Sequence, residues 1–278
     1  MRTKELLSRE TITDLFTAVF VVVDDYLQEA VRQERLTLPC KSNQKASYSE
    51  IMTIVIMGEI LQQNNQGAWY LLVKQSFANL FPVLPDVTRF YRIQRNLADI
   101  YADVAMLFAE HDGSYAIDST PIAICHPLRR QRERSMTQAT TGYGGVSKRV
   151  HGFKLHAVVS GRGSICRFAL VAANEHDVTV ARCLLDKRVD DLTAIVGDKG
   201  YQGLGIFTPP KRNAKQAQAW CAFFAKLRKR VESVFSSLKR CRHLALQQLN
   251  SFWSVRASVC RKIAAHNLLI FLYSAHYV

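Results

Sequence analysis

The 278-residue chain lacks the paired cysteines whose disulfides stabilise small secreted proteins, and it has no segment long enough to span a membrane. Its seven cysteines are odd in number and scattered, and none forms a C-x-x-C pair, which excludes a disulfide framework and a cysteine-rich zinc site. Glycine (13) and proline (7) are too few for a fibrous or disordered chain. The apolar runs at 16–23 and 268–273 are too short to cross a bilayer. We therefore expect a reduced cytoplasmic protein without a membrane partner.

Acidic residues are scarce in the second part of the chain. Residues 1–110 carry 11 Lys and Arg against 13 Asp and Glu, whereas residues 111–278 carry 26 against 10. The formal net charge of +14 therefore originates in the second part. An excess of this sign and size favours a polyanionic partner such as nucleic acid, although a surface charged for solubility has the same composition.

The periodicity of apolar residues changes near residue 111. Residues 1–110 show helical spacing in four segments, which begin near Thr11, Ser47, Trp69 and Asp86, and the fourth runs through to Met106. Short β-branched or alternating runs then predict strands at 114–119, 152–160, 166–173 and 193–197, a helix at 178–185, and a short fifth strand around 204–207. A basic helix from about 215 past Lys239 and an apolar helix over 255–273 complete the prediction.

This order of elements predicts an α/β fold with two domains. Three strands in a meander and a crossover to a parallel strand make a mixed sheet with flanking helices in residues 111–278, which include the C-terminal helix. An all-helical N-terminal domain, residues 1–110, precedes it. That domain has a basic face at Arg89, Arg92 and Arg95, which favours either binding of DNA ends through a helix-turn-helix or simple packing of short helices.

Three carboxylates stand in surroundings where a carboxylate is costly. Asp118 interrupts the first strand, Asp198 follows the fourth strand in a Gly-Asp-Lys-Gly turn, and Glu232 lies on the basic helix. Each alone has an ordinary explanation, a turn for the aspartates and an ion pair for the glutamate. Together they can meet at one edge of the sheet, where their mutual repulsion favours hard divalent cations. Two Mg²⁺ ions at such a site suit phosphodiester cleavage.

The motifs around these residues resemble those of the DDE transposases of bacterial insertion sequences. They are AIDSTP at Asp118, VGDKGY at Asp198 and RVESVFSSLK at Glu232. The segment GFKLH at 152–156 is similar to the family's second-strand pattern, and NEHD at 174–177 follows the third strand. Lys239, two helical turns beyond Glu232, is similar to the family's basic residue after the catalytic glutamate. The resemblance covers about residues 113–245.

The resemblance implies a ribonuclease-H-like catalytic domain and a metal-dependent transposase. Asp118, Asp198 and Glu232 would coordinate two Mg²⁺ or Mn²⁺ ions. Water would nick DNA at the terminal inverted repeats of the element, and the freed 3′-hydroxyl would attack target DNA. The resemblance also implies a homo-oligomer in the synaptic complex and a bacterial cytoplasmic enzyme that associates with the nucleoid when it binds DNA.

Basic residues around the carboxylates are expected to bind DNA. Near the motifs these are Lys154, Lys199, Arg228, Arg230 and Lys239. A basic insertion near 126–150, between the first two strands, adds Arg129, Arg130, Arg132, Arg134, Lys148 and Arg149. A solvated loop that is mobile without DNA has the same composition as this insertion.

Three further residues near the motifs are expected to support the site without binding metal. His156 and His176 are expected to pack beside it, and Asp177 is expected to cap the helix that it precedes. Two other functions are compatible with the sequence: a non-catalytic basic DNA-binding protein, and a host nuclease or resolvase on the same core.

Overall fold

The computed structural model describes residues 9–38, 46–133, 136–143, 149–186, 194–210 and 221–275. The first part of the chain is helical, as predicted. Its helices are α1 (Arg9–Arg32), α2 (Tyr48–Ile60), α3 (Gln66–Ser76), α4 (Val87–Asn96) and α5 (Ile100–Leu107). Ser47 begins α2 with a capping box, in which its hydroxyl accepts from the Glu50 amide while the Glu50 carboxylate accepts from the Ser47 amide. Asp86 caps α4 through the amide of Arg89.

The fourth predicted helix is two helices, so its continuation to Met106 was wrong. The last turn of α4 tightens into i→i+3 bonds, in which Leu97 N donates to Gln94 O and Ala98 N donates to Arg95 O. The break lets α5 turn and pack along the C-terminal helix. Helical spacing alone did not reveal it, because the apolar pattern continues across the break.

The second part of the chain forms the mixed sheet that the sequence predicts. Its strands are β1 (Ser114–Ala123), β2 (Thr140–Tyr143), β3 (Arg149–Ser160), β4 (Ile165–Ala172) and β5 (Ala194–Val196). The central strand β1 pairs antiparallel with β3 and parallel with β5, while β3 pairs antiparallel with β4 and β2. Helix α6 (Asp177–Asp186) makes the crossover, and α7 (Ala222–Cys241) and α8 (Phe252–Ser274) follow β5. This is a ribonuclease-H-like arrangement.

Two details of the sheet differ from the sequence prediction. Residues 140–143, which were assigned to a loop of the basic insertion, form β2 against the first residues of β3. Gly142 permits this pairing, because a Cβ there would lie 1.8 Å from the carbonyl oxygen of Ala173. The expected fifth strand at 204–207 is only a single bridge between Val196 and Phe207. The predicted start of the basic helix near 215 lies outside the described residues, and within them that helix begins at Ala222.

The helical region and the sheet share one hydrophobic core. It includes Phe16 of α1, Tyr101 of α5, Leu155 of β3 and Leu268 of α8. Asn267 of α8 is buried in this core, where its amide donates to the carbonyls of Ala105 and Ile165 and accepts from the Ile165 amide. These bonds tie α5 and β4 to α8. A smaller cluster beneath α6 covers the other face of the sheet. The domain boundary at residues 110 and 111 stays a prediction.

Within the described ranges, none of the helices combines the length and the apolar character that a membrane crossing needs.

Candidate active site

Asp118 lies in the middle of β1, between β3 and β5, and faces Ala157 across the antiparallel pair. One of its carboxylate oxygens accepts the Ser119 amide at 2.8 Å. Burial raises the pKa of Asp118 to about 6 against the hydrogen bond from Ser119, which lowers it. The carboxylates of Asp198, Glu232 and Asp177 raise that pKa further, so this strand position is surrounded by acidic groups.

Asp198 comes to the side of Asp118 through the register of the parallel strands. Ala116 of β1 pairs with Val196, the last residue of β5, and Asp118 and Asp198 each follow two residues later in the chain. Strand β5 ends because Asp198 starts the short 3₁₀ helix Lys199–Tyr201, where its Oδ1 accepts the Gly200 amide at 2.7 Å. The turn predicted at Asp198 is therefore confirmed, and the role of this residue in the candidate site stays a prediction.

Glu232 reaches the group from α7, which packs across β1. The buried face of α7 includes Val231, Val234 and Phe235, which leaves Glu232 exposed beside them. Its carboxylate lies 3.4 Å from Nη2 of Arg228, one helical turn earlier. The sequence therefore predicted the ion pair correctly, and the pair does not prevent Glu232 from raising the pKa of Asp118.

Lys239 is a candidate DNA-binding residue on α7 whose ammonium responds to the charge of Asp118. It is partly buried, and burial lowers the pKa of its ammonium while the charge of Asp118 raises it. Lys239 is seven residues beyond Glu232, and a helical rise of about 1.5 Å per residue places it about 10 Å further along α7. The two residues therefore flank Asp118 from one helix.

The other predicted DNA-binding residues are distributed over several elements. Arg228 and Lys199 are exposed close to Glu232 and Asp198 in sequence, whereas Arg230 donates from Nε to the Gly161 carbonyl near the start of β1. After β1, Arg129 and Arg132 are exposed and Arg130 is partly exposed. Arg149 lies over the ring of Tyr143, with its guanidinium carbon 5.8 Å from the ring centroid. Arg134 and Lys148 lie outside the described residues.

Lys154 and Asp177 form an ion pair that the sequence interpretation missed. The ammonium of Lys154 is 2.6 Å from Asp177 Oδ1 and also donates to the Glu175 carbonyl at 3.0 Å. The other oxygen of Asp177 accepts from the Ser119 hydroxyl at 3.1 Å. Asp177 was expected to cap α6 but is instead its first residue, and amides of the first turn, those of Thr179 and Val180, bond to the His176 carbonyl. Asp177 therefore connects β3 and α6 to the residue next to Asp118.

His156 is buried beside this ion pair, with Nε2 3.8 Å from Asp177 Oδ1. Burial lowers the pKa of His156 to about 4, so its ring is neutral at physiological pH. Lys154 and His156 are two residues apart and therefore lie on the same face of β3. Lys154 pairs with Pro121 of β1, and His156 pairs with Ser119. This period of two in the GFKLH segment was the signal that could have revealed the cluster.

The donors of this site fit a divalent cation by their chemistry. Asp118, Asp198 and Glu232 supply only carboxylate oxygens, which hard cations such as Mg²⁺ prefer. Opposite charge would also offset the repulsion that raises the pKa of Asp118. Over the part of the chain that the structure describes, no group of three or more His, Cys, Asp or Glu side chains is arranged to hold a metal ion.

The sheet order and the flanking helices define a protein of the ribonuclease-H-like fold class. Within that class, the chain belongs to the transposase DDE family. The family model described as "Transposase DDE domain" matches residues 108–248, about half of the chain, and confirms the resemblance. The matched segment contains Asp118, Asp198, Glu232 and Lys239. A search of curated proteins found no match, and a search of solved structures found none either.

Membership of this family sets the general activity of the protein. The family implies a DNA substrate and DNA cleavage related to transposition, and its members generally use divalent metal ions.

Proposed function

We propose that the protein is the transposase of a bacterial insertion sequence. It cuts DNA at the terminal inverted repeats of the element and transfers the freed 3′ ends to target DNA. The observation that carries this proposal is the parallel register of β1 and β5, which brings Asp198 beside Asp118 while Glu232 acts on the same carboxyl from α7.

In this proposal Asp118, Asp198 and Glu232 hold two Mg²⁺ or Mn²⁺ ions. Such ions, when bound, supply an activated oxygen nucleophile and stabilise the leaving oxygen of an in-line displacement. Lys239 binds the phosphate next to the scissile bond through its ammonium. The Asp177 carboxylate, held by Lys154, positions Ser119 and with it the strand segment that carries Asp118.

The DNA duplex is proposed to extend from this site over two basic surfaces. The first combines Lys199 and Arg228 with the basic residues Arg129, Arg130, Arg132 and Arg149. The second is the N-terminal helical region, residues 1–110, where Arg92 and Arg95 are exposed on α4. Cutting two element ends in one complex requires a homo-oligomer, which we propose to form on DNA in the bacterial cytoplasm.

Metal-dependent cleavage and joining test the proposed function. Purified protein is incubated with a duplex that carries one of the inverted repeats flanking its gene, together with a supercoiled target plasmid. We expect nicks that leave a 3′-hydroxyl and joined products in Mg²⁺ or Mn²⁺, and neither product in EDTA. Cleavage without joining would identify a nuclease or resolvase instead. Binding without cleavage would identify a non-catalytic DNA-binding protein.

Lys239→Ala is expected to slow cleavage more than it weakens DNA binding. Loss of one charged donor at a reacting phosphate lowers the rate by about 10²-fold, whereas one of many phosphate contacts contributes little to affinity. The measurement is the single-turnover cleavage rate at saturating DNA, and Lys239→Arg should recover part of that rate. Arg240→Ala is the matched control, because Arg240 is the adjacent exposed cation on α7. A rate for Lys239→Ala within twofold of the control would contradict the assigned role.

A further inference from the structure

A polar cleft of about 670 Å³ lies between the N-terminal helices and the segment that follows α7. Its volume falls in the range of small-ligand sites, which is about 300–1,000 Å³. We call it the amide cleft, because its lining includes the side chains of Gln63, Asn64, Asn65, Gln247 and Gln248. The ring of Tyr91 also lines it. None of these residues belongs to the group around Asp118.

Positive charge exceeds negative charge at the floor of the amide cleft. Glu59 is buried there and forms ion pairs with Lys262, at 2.9 Å, and with Nε of Arg261, at 3.7 Å. Arg242 is also buried, and its guanidinium donates to the backbone carbonyl of Glu59. In the cleft lining, the single carboxylate of Glu59 is thus paired with two cations, Arg261 and Lys262. An excess of buried cations is costly without a compensating anion.

The same region contains buried donors that lack acceptors. Among the described residues, Nε of Arg242, Nε of Arg261 and Nε2 of Gln94 are buried without a hydrogen-bond partner. Gln94 is only 4% exposed and lines a small recess that shares Glu59, Gln63 and Gln66 with the amide cleft. Of these three residues, Arg261 lines the amide cleft, and its Nε lies 3.7 Å from the Glu59 carboxylate without a hydrogen bond. A ligand rich in acceptor oxygens and nitrogens would suit a lining that offers N–H donors.

A nucleotide combines the features that this lining recognises. Asn and Gln side chains pair with the edges of bases through two hydrogen bonds. An exposed tyrosine ring offers a surface on which a base can stack, and Tyr91 is 41% exposed. Its hydroxyl lies close to Gly67, where a Cβ would approach it to 3.1 Å. The cations at the floor would attract the phosphate.

The amide cleft also lies within reach of DNA that occupies the candidate active site. Leu246, which lines the cleft, forms a parallel bridge with Ala123 at the end of β1. Asp118 is five residues earlier on the same strand, a distance of about 17 Å at about 3.3 Å per residue. A DNA helix rises about 3.4 Å per base pair, so about five base pairs span the two sites.

We propose that the amide cleft is a second DNA-binding site, which holds one nucleotide of the substrate strand about five base pairs from the scissile phosphate. The base contacts the amides and Tyr91, and the phosphate lies towards Arg261 and Lys262. This assignment rests on the proposed function only in taking DNA as the substrate. It predicts a sequence preference at that position of the DNA.

The test measures DNA affinity in the full-length protein without added metal, so that cleavage plays no part in it. The double variant Gln63→Ala, Gln248→Ala removes two exposed amides and is expected to weaken binding of an inverted-repeat duplex about tenfold, as measured by fluorescence anisotropy. Gln28→Ala on α1 is the matched control, since Gln28 is an exposed amide on a helix that does not line the cleft. The cleavage rate at saturating DNA should not change in either variant.

A second variant tests the phosphate contact. Arg261→Gln keeps a polar side chain next to Glu59 and is expected to reduce the slope of log affinity against log salt by about 1. Hydroxyl-radical footprinting should show reduced protection about five base pairs from the cut in both variants. Thermal unfolding of each variant confirms that it is folded.

Three outcomes decide between this assignment and its alternatives. Affinity of the double variant within twofold of the control would overturn the second site, whether or not the protein cleaves DNA. A free deoxynucleoside monophosphate that binds the wild-type protein as tightly as the duplex would assign the cleft to a free nucleotide and also overturn it. Weakened binding in a protein that never cleaves DNA would support the cleft and contradict the proposed enzymatic function.

Discussion

Asp118→Asn is expected to lower the rate of DNA cleavage by at least 10³-fold, on the order of what a central group of a catalytic site contributes, while DNA affinity stays within twofold of wild type. The amide keeps the size of the side chain and can still accept the Ser119 amide. It removes the negative charge that holds a divalent cation. Binding should persist because the basic surfaces are unchanged. The measurements are single-turnover cleavage in Mg²⁺ and anisotropy in its absence.

The same loss of cleavage rate is expected for Asp198→Asn and Glu232→Gln. The triple variant should be little slower than each single variant, because the effects of residues that act as a unit are not additive. Glu175→Gln is the matched control. Glu175 is an exposed carboxylate close to the site, two residues before α6, and only its backbone carbonyl contacts Lys154. If any single variant of the three kept a tenth of the wild-type rate, that residue would not belong to the catalytic group.

The sequence predicted the parts of the sheet that depend on local pattern. Strands β1, β3, β4 and β5 follow from β-branched runs, and the parallel pairing of β5 follows from the crossover through α6. When β1 and β5 are adjacent, Asp118 and Asp198 come to the same edge of the sheet, because each follows the paired residues Ala116 and Val196 by two positions. The loop prediction for residues 140–143 was wrong for a local reason as well. A glycine-rich segment is typical of a loop, but here Gly142 pairs with β3 at a position where a Cβ would clash with Ala173.

Contacts between distant segments were beyond the sequence interpretation. The Asp177 carboxylate binds Lys154 and Ser119, which are 23 and 58 residues away, and nothing at Asp177 itself distinguishes that arrangement from a helix cap. The floor of the amide cleft joins Glu59 to Lys262, 203 residues apart. Such pairs depend on how α2 and α8 pack in the common core, and apolar periodicity gives the faces of the helices but not their partners.

The acidic group around Asp118 is costly to the folded state, because folding moves a carboxyl from water to a partly buried position near three other carboxylates. The residue is thus unfavourable for stability and suited to a cation. Proteins often retain such local conflicts at functional sites and compensate for them elsewhere. Here the shared core that includes α8 and the central strands supplies the compensation. Removing the charge should therefore affect activity and stability in opposite directions.

Asp118→Asn is accordingly expected to stabilise the protein at neutral pH. The pKa of Asp118 is about 6 in the folded protein and 3.8 in the reference state, a difference worth about 3 kcal/mol at pH 7 and above. The folded state holds the proton more tightly, so the contribution of this group to the free energy of unfolding falls as pH rises from about 4 to 6. The asparagine has no such proton, so the variant should gain about 3 kcal/mol over wild type at pH 7.5 and less than about 1 kcal/mol at pH 4.

Urea unfolding of both proteins at the two pH values, without divalent cations, measures this difference, with Glu175→Gln as the control for loss of an exposed charge. Other groups titrate over the same range, but they do so equally in the two proteins and cancel in the comparison. An asparagine variant no more stable than wild type at pH 7.5 would mean that burial and the neighbouring carboxylates do not make the Asp118 charge costly in the folded chain. Added Mg²⁺ should reduce the difference in free energy of unfolding between the variant and wild type at pH 7.5. A ligand that binds only the folded wild-type protein raises the free energy of unfolding of that protein.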